Sequence, residues 1–295
     1  MKWLQLIVPI SSQIEEACVN RLQELGATAV YTDFLIDSSS LFLYGIFPYE
    51  SDRKKIKNKM RMYLSSLRDL GFDVSLKEIK IQEINENEYL HQWKDHFQPI
   101  HFGNTLVIEP VWISDSGRPG EKVLKIDPGM TFGTGHHFTT NFCLQWVCKN
   151  RESINSLIDV GCGSGIISIA ASLLGIKKIL AMDHYSMVMP AVKKNIERNH
   201  VQGEITLIRA DILAAPLSAG TFDVVIANLH TNLLLKAKEN LESLLKPGAS
   251  LILTGIGYNR RQDILSQYSD LFLQTLQVDT QKEWVGIWYK DSRKL

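Results

Sequence analysis

Leu157-Ile158-Asp159-Val160-Gly161-Cys162-Gly163-Ser164-Gly165 decides how this chain is read, because a short apolar run breaks into glycines at every second position. Ile166, Ile167, Ile169, Ala170 and Ala171, then Leu173 and Leu174, follow at once, so the pattern predicts a buried strand, a tight turn and a helix. Glycines in such a turn let the backbone approach a ligand closely, and the first N–H groups of the helix are open to its polar or anionic parts. A dinucleotide fingerprint requires G-x-G-x-x-G, whose third glycine would fall on Ile166; the glycines here run G-x-G-x-G behind Asp159. No G-x-x-x-x-G-K-[ST] phosphate loop occurs in the chain. A glycine turn that merely packs the helix onto the strand is the alternative reading. Residues 178–183 predict the next strand, and its last residue, Asp183, follows Gly165 at about the distance where an acid meets ribose hydroxyls in such sheets.

Downstream the alternation continues. Helices are expected at about 187–199 and 232–245, with strands at 205–208, 222–227 and 251–254. Such alternation gives a mostly parallel α/β sheet covered by helices on both faces. After a helix near 260–267, residues 271–278 and 283–289 predict a hairpin at the sheet edge, one strand antiparallel to the rest.

Upstream, residues 1–81 carry a β-α-β-β-α-β pattern, the order of a small ferredoxin-like α+β domain. Ser12-x-x-Glu15 has the form of a capping box, and Ile14, Cys18, Leu22 and Leu25 share the first helix's inner face before Gly26. The second helix turns Ile56, Met60, Leu64, Leu67 and Leu70 inward and stops at Gly71, ahead of a strand at 72–81. Its outer face carries Arg53, Lys54, Lys55, Lys57, Lys59 and Arg61, either a solvated face or a docking surface for an acidic or RNA-associated partner. Aromatic residues are not interleaved with them, so no direct nucleic-acid binding is expected. Residues 82–98 read as a linker helix, with Tyr89, Leu90, Trp93 and Phe97 at helical spacing, and 99–295 as the second domain, opening with strands at 106–109 and 123–126.

The 295 residues are 45% hydrophobic and 22% charged, enough for one large core or two modest ones. Lys and Arg number 32, as do Asp and Glu, so overall charge calls for neither nucleic acid nor an anionic membrane. Cys18, Cys143, Cys148 and Cys162 form no C-x-x-C pair and read as reduced core thiols of a cytoplasmic protein, with no metal site. The opening apolar run is too short for a signal peptide, and no apolar stretch is long enough to span a membrane.

The Asp-x-Gly-x-Gly-x-Gly loop resembles the cofactor loop of class I methyltransferases, which bind S-adenosylmethionine, a ligand without pyrophosphate. The most specific stretch is Asp127-Pro128-Gly129-Met130-Thr131-Phe132-Gly133-Thr134-Gly135-His136-His137-Phe138-Thr139-Thr140. With Trp93-x3-Phe97-x-Pro99, Asn195-x3-Asn199 and Ala227-Asn228-Leu229, it resembles the PrmA-type methyltransferases, whose substrate is protein eleven of the large ribosomal subunit. The resemblance spans almost the full length. It implies a Rossmann-like class I domain that trimethylates lysine side chains and the α-amine, behind a ferredoxin-like domain, residues 1–81, that captures the substrate. It also implies cofactor-binding roles for Thr140, ahead of the glycine-loop strand, Gly161, Asp183 and Asn228. Without it, Thr140 could simply cap a helix.

The chain departs from the family pattern at Thr131, His136, Phe138 and His184-Tyr185-Ser186, which bears on the substrate-side wall rather than on the cofactor groups. His137 reads as a packed, hydrogen-bonded histidine or a catalytic base. An amine nucleophile must be neutral and aligned, so Asn228 is expected to accept hydrogen bonds from it and orient its lone pair. The rival readings are a methyltransferase acting on another protein, a small molecule or nucleic acid, and a module that binds S-adenosylmethionine without chemistry. Asn228-Leu229-His230-Thr231 lacks the [Asn/Asp]-Pro-Pro-[Tyr/Phe] motif in which enzymes methylating planar amides or adenine resemble one another, which lowers the nucleobase option.

Overall fold

The computed structural model describes residues 2–11, 14–34, 41–74, 79–85, 98–127, 135, 137–186, 188–201, 203–269, 273–281 and 284–293. The chain divides into two compact units, Met1–His96 and Phe97–Leu295.

In the first unit β1 (Lys2–Ile10), α1 (Glu15–Glu24), β2 (Ala29–Phe34), β3 (Leu41–Pro48), α2 (Arg53–Asp69) and β4 (Lys80–Asn85) follow one another. The sheet order is β2-β3-β1-β4 with every neighbouring pair antiparallel, the ferredoxin-like arrangement the pattern predicts. Alternate residues of β1, Leu4, Leu6 and Val8, are fully buried, as are Cys18 and Leu22 of α1. Asp52 caps α2 by accepting from Lys55 N at 3.0 Å, and Ile56, Met60, Leu64 and Leu67 turn inward. Leu70 does not join them: it ends the helix at φ −83°, ψ 2°, and is 75% exposed, with Gly71 beyond it at φ +93°. Ser12 of the expected capping box lies outside the described residues.

The last strand lies further along than expected. β4 starts at Lys80 and takes in residues 82–85, read from sequence as the start of the linker helix, pairing Lys2↔Asn85 through Ile7↔Lys80. As an edge strand it leaves Lys80, Gln82, Glu83 and Asn85 in water, so it reads as polar. Glu83 binds Arg53 at 2.6 Å and Lys2 at 3.4 Å, engaging one of the basic-helix cations within its own unit. The rest of the expected linker helix, 86–97, lies outside the described residues.

The second unit holds a seven-stranded sheet, order β10-β9-β8-β11-β12-β14-β13: β8 (Ser156–Val160), β9 (Lys178–Asp183), β10 (Ile205–Arg209), β11 (Phe222–Asn228), β12 (Leu245–Gly257), β13 (Leu273–Gln281) and β14 (Trp284–Asp291). Strands β10 through β12 run parallel; β14 runs antiparallel between β12 and β13. The edge hairpin is present as expected, and its inner strand is the antiparallel one. On one face pack α3 (Phe138–Asn150), α4 (Ile166–Leu173) and α5 (Met189–Arg198); on the other, α6 (Thr231–Lys236), α7 (Lys238–Ser243) and α8 (Arg261–Gln267). The helix expected at 232–245 breaks at Ala237 (φ −88°, ψ 2°), and Leu245 already belongs to β12. Helix α3 has no counterpart in the sequence reading. A three-stranded side sheet joins β5 (Ile100–Phe102), also unforeseen, to the expected β6 (Leu106–Pro110) and β7 (Lys122–Ile126). Among the described residues no helix is long and apolar enough to cross a membrane.

Candidate active site at the carboxyl ends of the strands

β8 lies between β9 and β11 and every residue of it is buried; the chain leaves it where the parallel neighbours β9 and β11 also end. Gly161, Gly163 and Gly165 take φ of +76°, +51° and +78°, a region where side chains are strained. At Gly161 a Cβ would come within 2.4 Å of Leu229 Cδ2 and 3.8 Å of the Asn228 carbonyl oxygen, so this glycine lets the ends of β8 and β11 meet. The loop is fastened on three sides. Gly161 N and Cys162 N donate to Met182 O at 2.8 and 3.0 Å, Gly163 N donates to Asp183 Oδ2 at 3.0 Å, and Asn195 Nδ2 donates to Ser164 O at 3.0 Å.

Asp183, only 7% exposed, also accepts from Tyr185 N through Oδ1 at 3.0 Å. Backbone donors therefore orient the carboxylate while leaving lone pairs on both oxygens. Beneath the loop Asp159 has no exposure at all; Ser168 Oγ of α4 donates to its Oδ2 at 2.7 Å, and Oδ1 has no partner among the described residues. Burial pushes this carboxyl up to about 6, although the Ser168 hydrogen bond works against the shift.

Asn228 closes β11, half-buried and in register with Thr254 of β12. His230 caps α6 by accepting from Leu233 N at 3.2 Å, and burial with the nearby Lys236 charge lowers its pKa. Thr140 sits in the first turn of α3 and not at a strand end, since β8 begins only at Ser156. It is 1% exposed and its Oγ1 has no hydrogen-bond partner among the described residues. The capping role weighed for Thr140 belongs to His137, whose ring accepts from Thr139 N at 3.4 Å and meets Trp284 edge-on at 5.1 Å. Burial lowers its imidazole to about 4, so it is neutral at ordinary pH.

Gly161, Asp183 and Asn228 are thus brought together at the ends of β8, β9 and β11. Thr140 stands on the helix packed against α4, with Cys143 one turn on raised by burial and by the Asp159 charge. Residues 128–134 and His136 lie outside the described residues. What the sequence reading missed is the work of Asn195 and Asn199, quoted there only as a motif. Asn195 of α5 holds the glycine loop, while Asn199, one turn on and capping the end of that helix, accepts from Lys125 N and donates to Lys125 O, both at 2.8 Å, fixing the strand that leads to Asp127. Arg198 continues the link, 2.9 Å from Asn195 Oδ1 and 3.9 Å from Asp127 Oδ2.

The chain is 30% identical over 315 residues to the ribosomal protein L11 methyltransferase of Streptococcus mutans, covering 98% of this chain and 96% of that protein. It is 29% identical over 309 residues to the one of Thermoanaerobacter pseudethanolicus, covering 97% and 98%. Among solved structures it resembles a ribosomal protein L11 methylase from Lactobacillus delbrueckii subsp. bulgaricus, with a TM-score of 0.59 and 28% identity over 67% of this chain and all of that one. Residues 2–292 match the family described as ribosomal protein L11 methyltransferase (PrmA), and the chain belongs to that family of S-adenosylmethionine-dependent protein methyltransferases.

Proposed function

We propose that the protein methylates lysine side chains and/or the α-amine of ribosomal protein L11 in the cytoplasm, with Thr140, Gly161, Asp183 and Asn228 holding the cofactor. The observation that carries this is the meeting of three strand ends, where Asp183 accepts the Gly163 N–H at 3.0 Å and Gly161 abuts the Asn228-Leu229 segment. Open parallel sheets bind ligands at such a place. The residues fit S-adenosylmethionine: a glycine cradle, an oriented carboxylate for ribose hydroxyls, and a buried Thr140 hydroxyl that lacks a protein partner among the described residues. When bound, the cofactor supplies a methyl group on a positively charged sulfur.

The chain's own part is alignment and desolvation. A lysine amine with pKa near 10.4 is neutral in only about four parts in ten thousand at pH 7, and an apolar wall with a nearby positive charge pushes that pKa down. Asn228 accepts hydrogen bonds from the neutral amine and aims its lone pair; the displaced proton leaves to solvent. His137, with its imidazole lowered to about 4, is too weak a base at neutral pH to carry that proton.

The N-terminal unit serves as the grip on L11, so that several amines can be presented to one site. Full-length protein, labelled cofactor and purified L11 should give methylated lysines by mass spectrometry. A fragment beginning at Phe97 should still bind S-adenosylmethionine but methylate intact L11 far more slowly. A cut near residue 82 would sever β4 and test nothing cleanly. Equal rates for the fragment and the whole chain would end the role given to the first unit.

A further inference from the structure

β12 does not run straight past the site. Leu253 pairs with Ile287 and Ile256 with Val285, so Thr254 and Gly255 face Gly286 alone and the strand carries a bulge. Gly255 has φ +82°, and a Cβ there would lie 2.3 Å from Leu229 O and 2.8 Å from its carbonyl carbon. A side chain could step aside from such a collision. The main chain of Leu229, held beside the bulge by its own N donating to Thr254 O at 3.1 Å, cannot. On the partner strand, a Cβ at Gly286 would lie 2.6 Å from Cγ and Cδ1 of Phe142. Leu229 packs against one apolar layer of the sheet and Phe142 belongs to the other, so the two segments press on the bulge from opposite faces. Leu229 directly follows Asn228, and Phe142 stands two residues after Thr140 on α3.

We propose that Gly255 and Gly286 are positioning residues, together forming a seat that sets the depth of the Asn228-Leu229 segment from one face and of the Thr140 helix from the other. The proposal rests on the roles given above to Asn228 and Thr140. Neither glycine touches a reacting group. Each acts through the backbone or helix it admits, and bulges beside active sites re-aim side chains in this way. Gly255 is the stricter of the two, because it combines a left-handed backbone with a collision against main chain, whereas the Phe142 ring can tilt.

The test is made on full-length protein. With Gly255→Ala, the amide resonances of Leu229 and of the Asn228 side chain should shift while those of the first unit stay in place. Turnover on L11 at saturating cofactor should fall about a hundredfold, the penalty for a misplacement near 1 Å. Adding Asn228→Ala to that variant should cost little more, whereas an unrelated structural defect would multiply the losses. Gly286→Ala is the milder second variant should Gly255→Ala fail to fold; it should shift the Thr140 amide and raise the Kd for S-adenosylmethionine several-fold by calorimetry. A folded Gly255→Ala with wild-type Asn228 and Leu229 resonances overturns the proposal, as does Gly286→Ala with unchanged Kd and Thr140 resonance. Normal turnover by Asn228→Ala alone would instead fault the role of Asn228, and the resonances of the glycine variants would still decide whether the seat exists.

Discussion

The two ends of the seven-stranded sheet carry carboxylates in opposite states. At the amino end Asp223 accepts from Asn155 N, Ser156 N and Ser156 Oγ at 3.0, 2.8 and 3.0 Å through Oδ2, and from Lys246 Nζ at 2.8 Å through Oδ1. Burial raises this carboxyl, but the hydrogen bonds from Lys246, Ser156 and Asn155 outweigh it and hold the pKa below the usual value. At the carboxyl end Asp159, among the described residues, has one partner, one unpartnered oxygen and a pKa pushed up to about 6, and the Thr140 hydroxyl likewise has no partner among them. Buried polar groups are ordinarily satisfied. One end therefore reads as a joint that staples β8, β11 and β12, and the other as a site kept polar for something that binds.

The sharpest way to break this contrast is pH. Because the folded pKa of Asp159 lies above its unfolded value of 3.8, its ionisation opposes folding. Its contribution is most favourable below pH 3.8 and is lost as pH rises through about 6. The difference amounts to about 3 kcal/mol. Asp159→Asn should therefore gain stability relative to wild type between pH 4 and pH 7.5 in urea titrations; a constant difference at both pH values would refute the assignment. Next in size, Asp183→Ala should weaken S-adenosylmethionine binding by roughly 1.5–3 kcal/mol while the protein stays folded. Unchanged affinity by calorimetry would remove the ribose role. Smallest, Asp223→Asn at the half-exposed joint should cost about 1 kcal/mol of stability, the net worth of an ordinary hydrogen bond, and leave cofactor affinity untouched. A loss of affinity there would mean the two ends are coupled.

The readings that held rest on short-range periodicity. The glycine loop, the strand to Asp183 and the strand to Asn228 were legible because each is a local pattern: apolar strand, glycine where φ is positive, acid or amide at the strand's end. Helix α3 was not, because Thr139, Thr140, Phe142, Cys143, Leu144, Trp146, Val147 and Cys148 are all buried, and a helix covered on most sides shows no apolar stripe. β4 was hidden for the converse reason, being an edge strand whose exposed residues look like linker.

By itself, then, the sequence determined the strand and helix alternation from residue 157 onward, the parallel sheet with its late antiparallel strand, and three residues that meet at its carboxyl edge. Tertiary structure alone decided which polar groups end up unpaired, that Asn195 reaches Ser164 and Asn199 reaches Lys125, and that Leu229 and Phe142 fill the space left by Gly255 and Gly286. Backbone preferences and hydrophobic period act over a few residues and are written locally. Hydrogen-bond satisfaction and close packing depend on atoms that chain folding brings from far along the sequence, so no window of residues contains them.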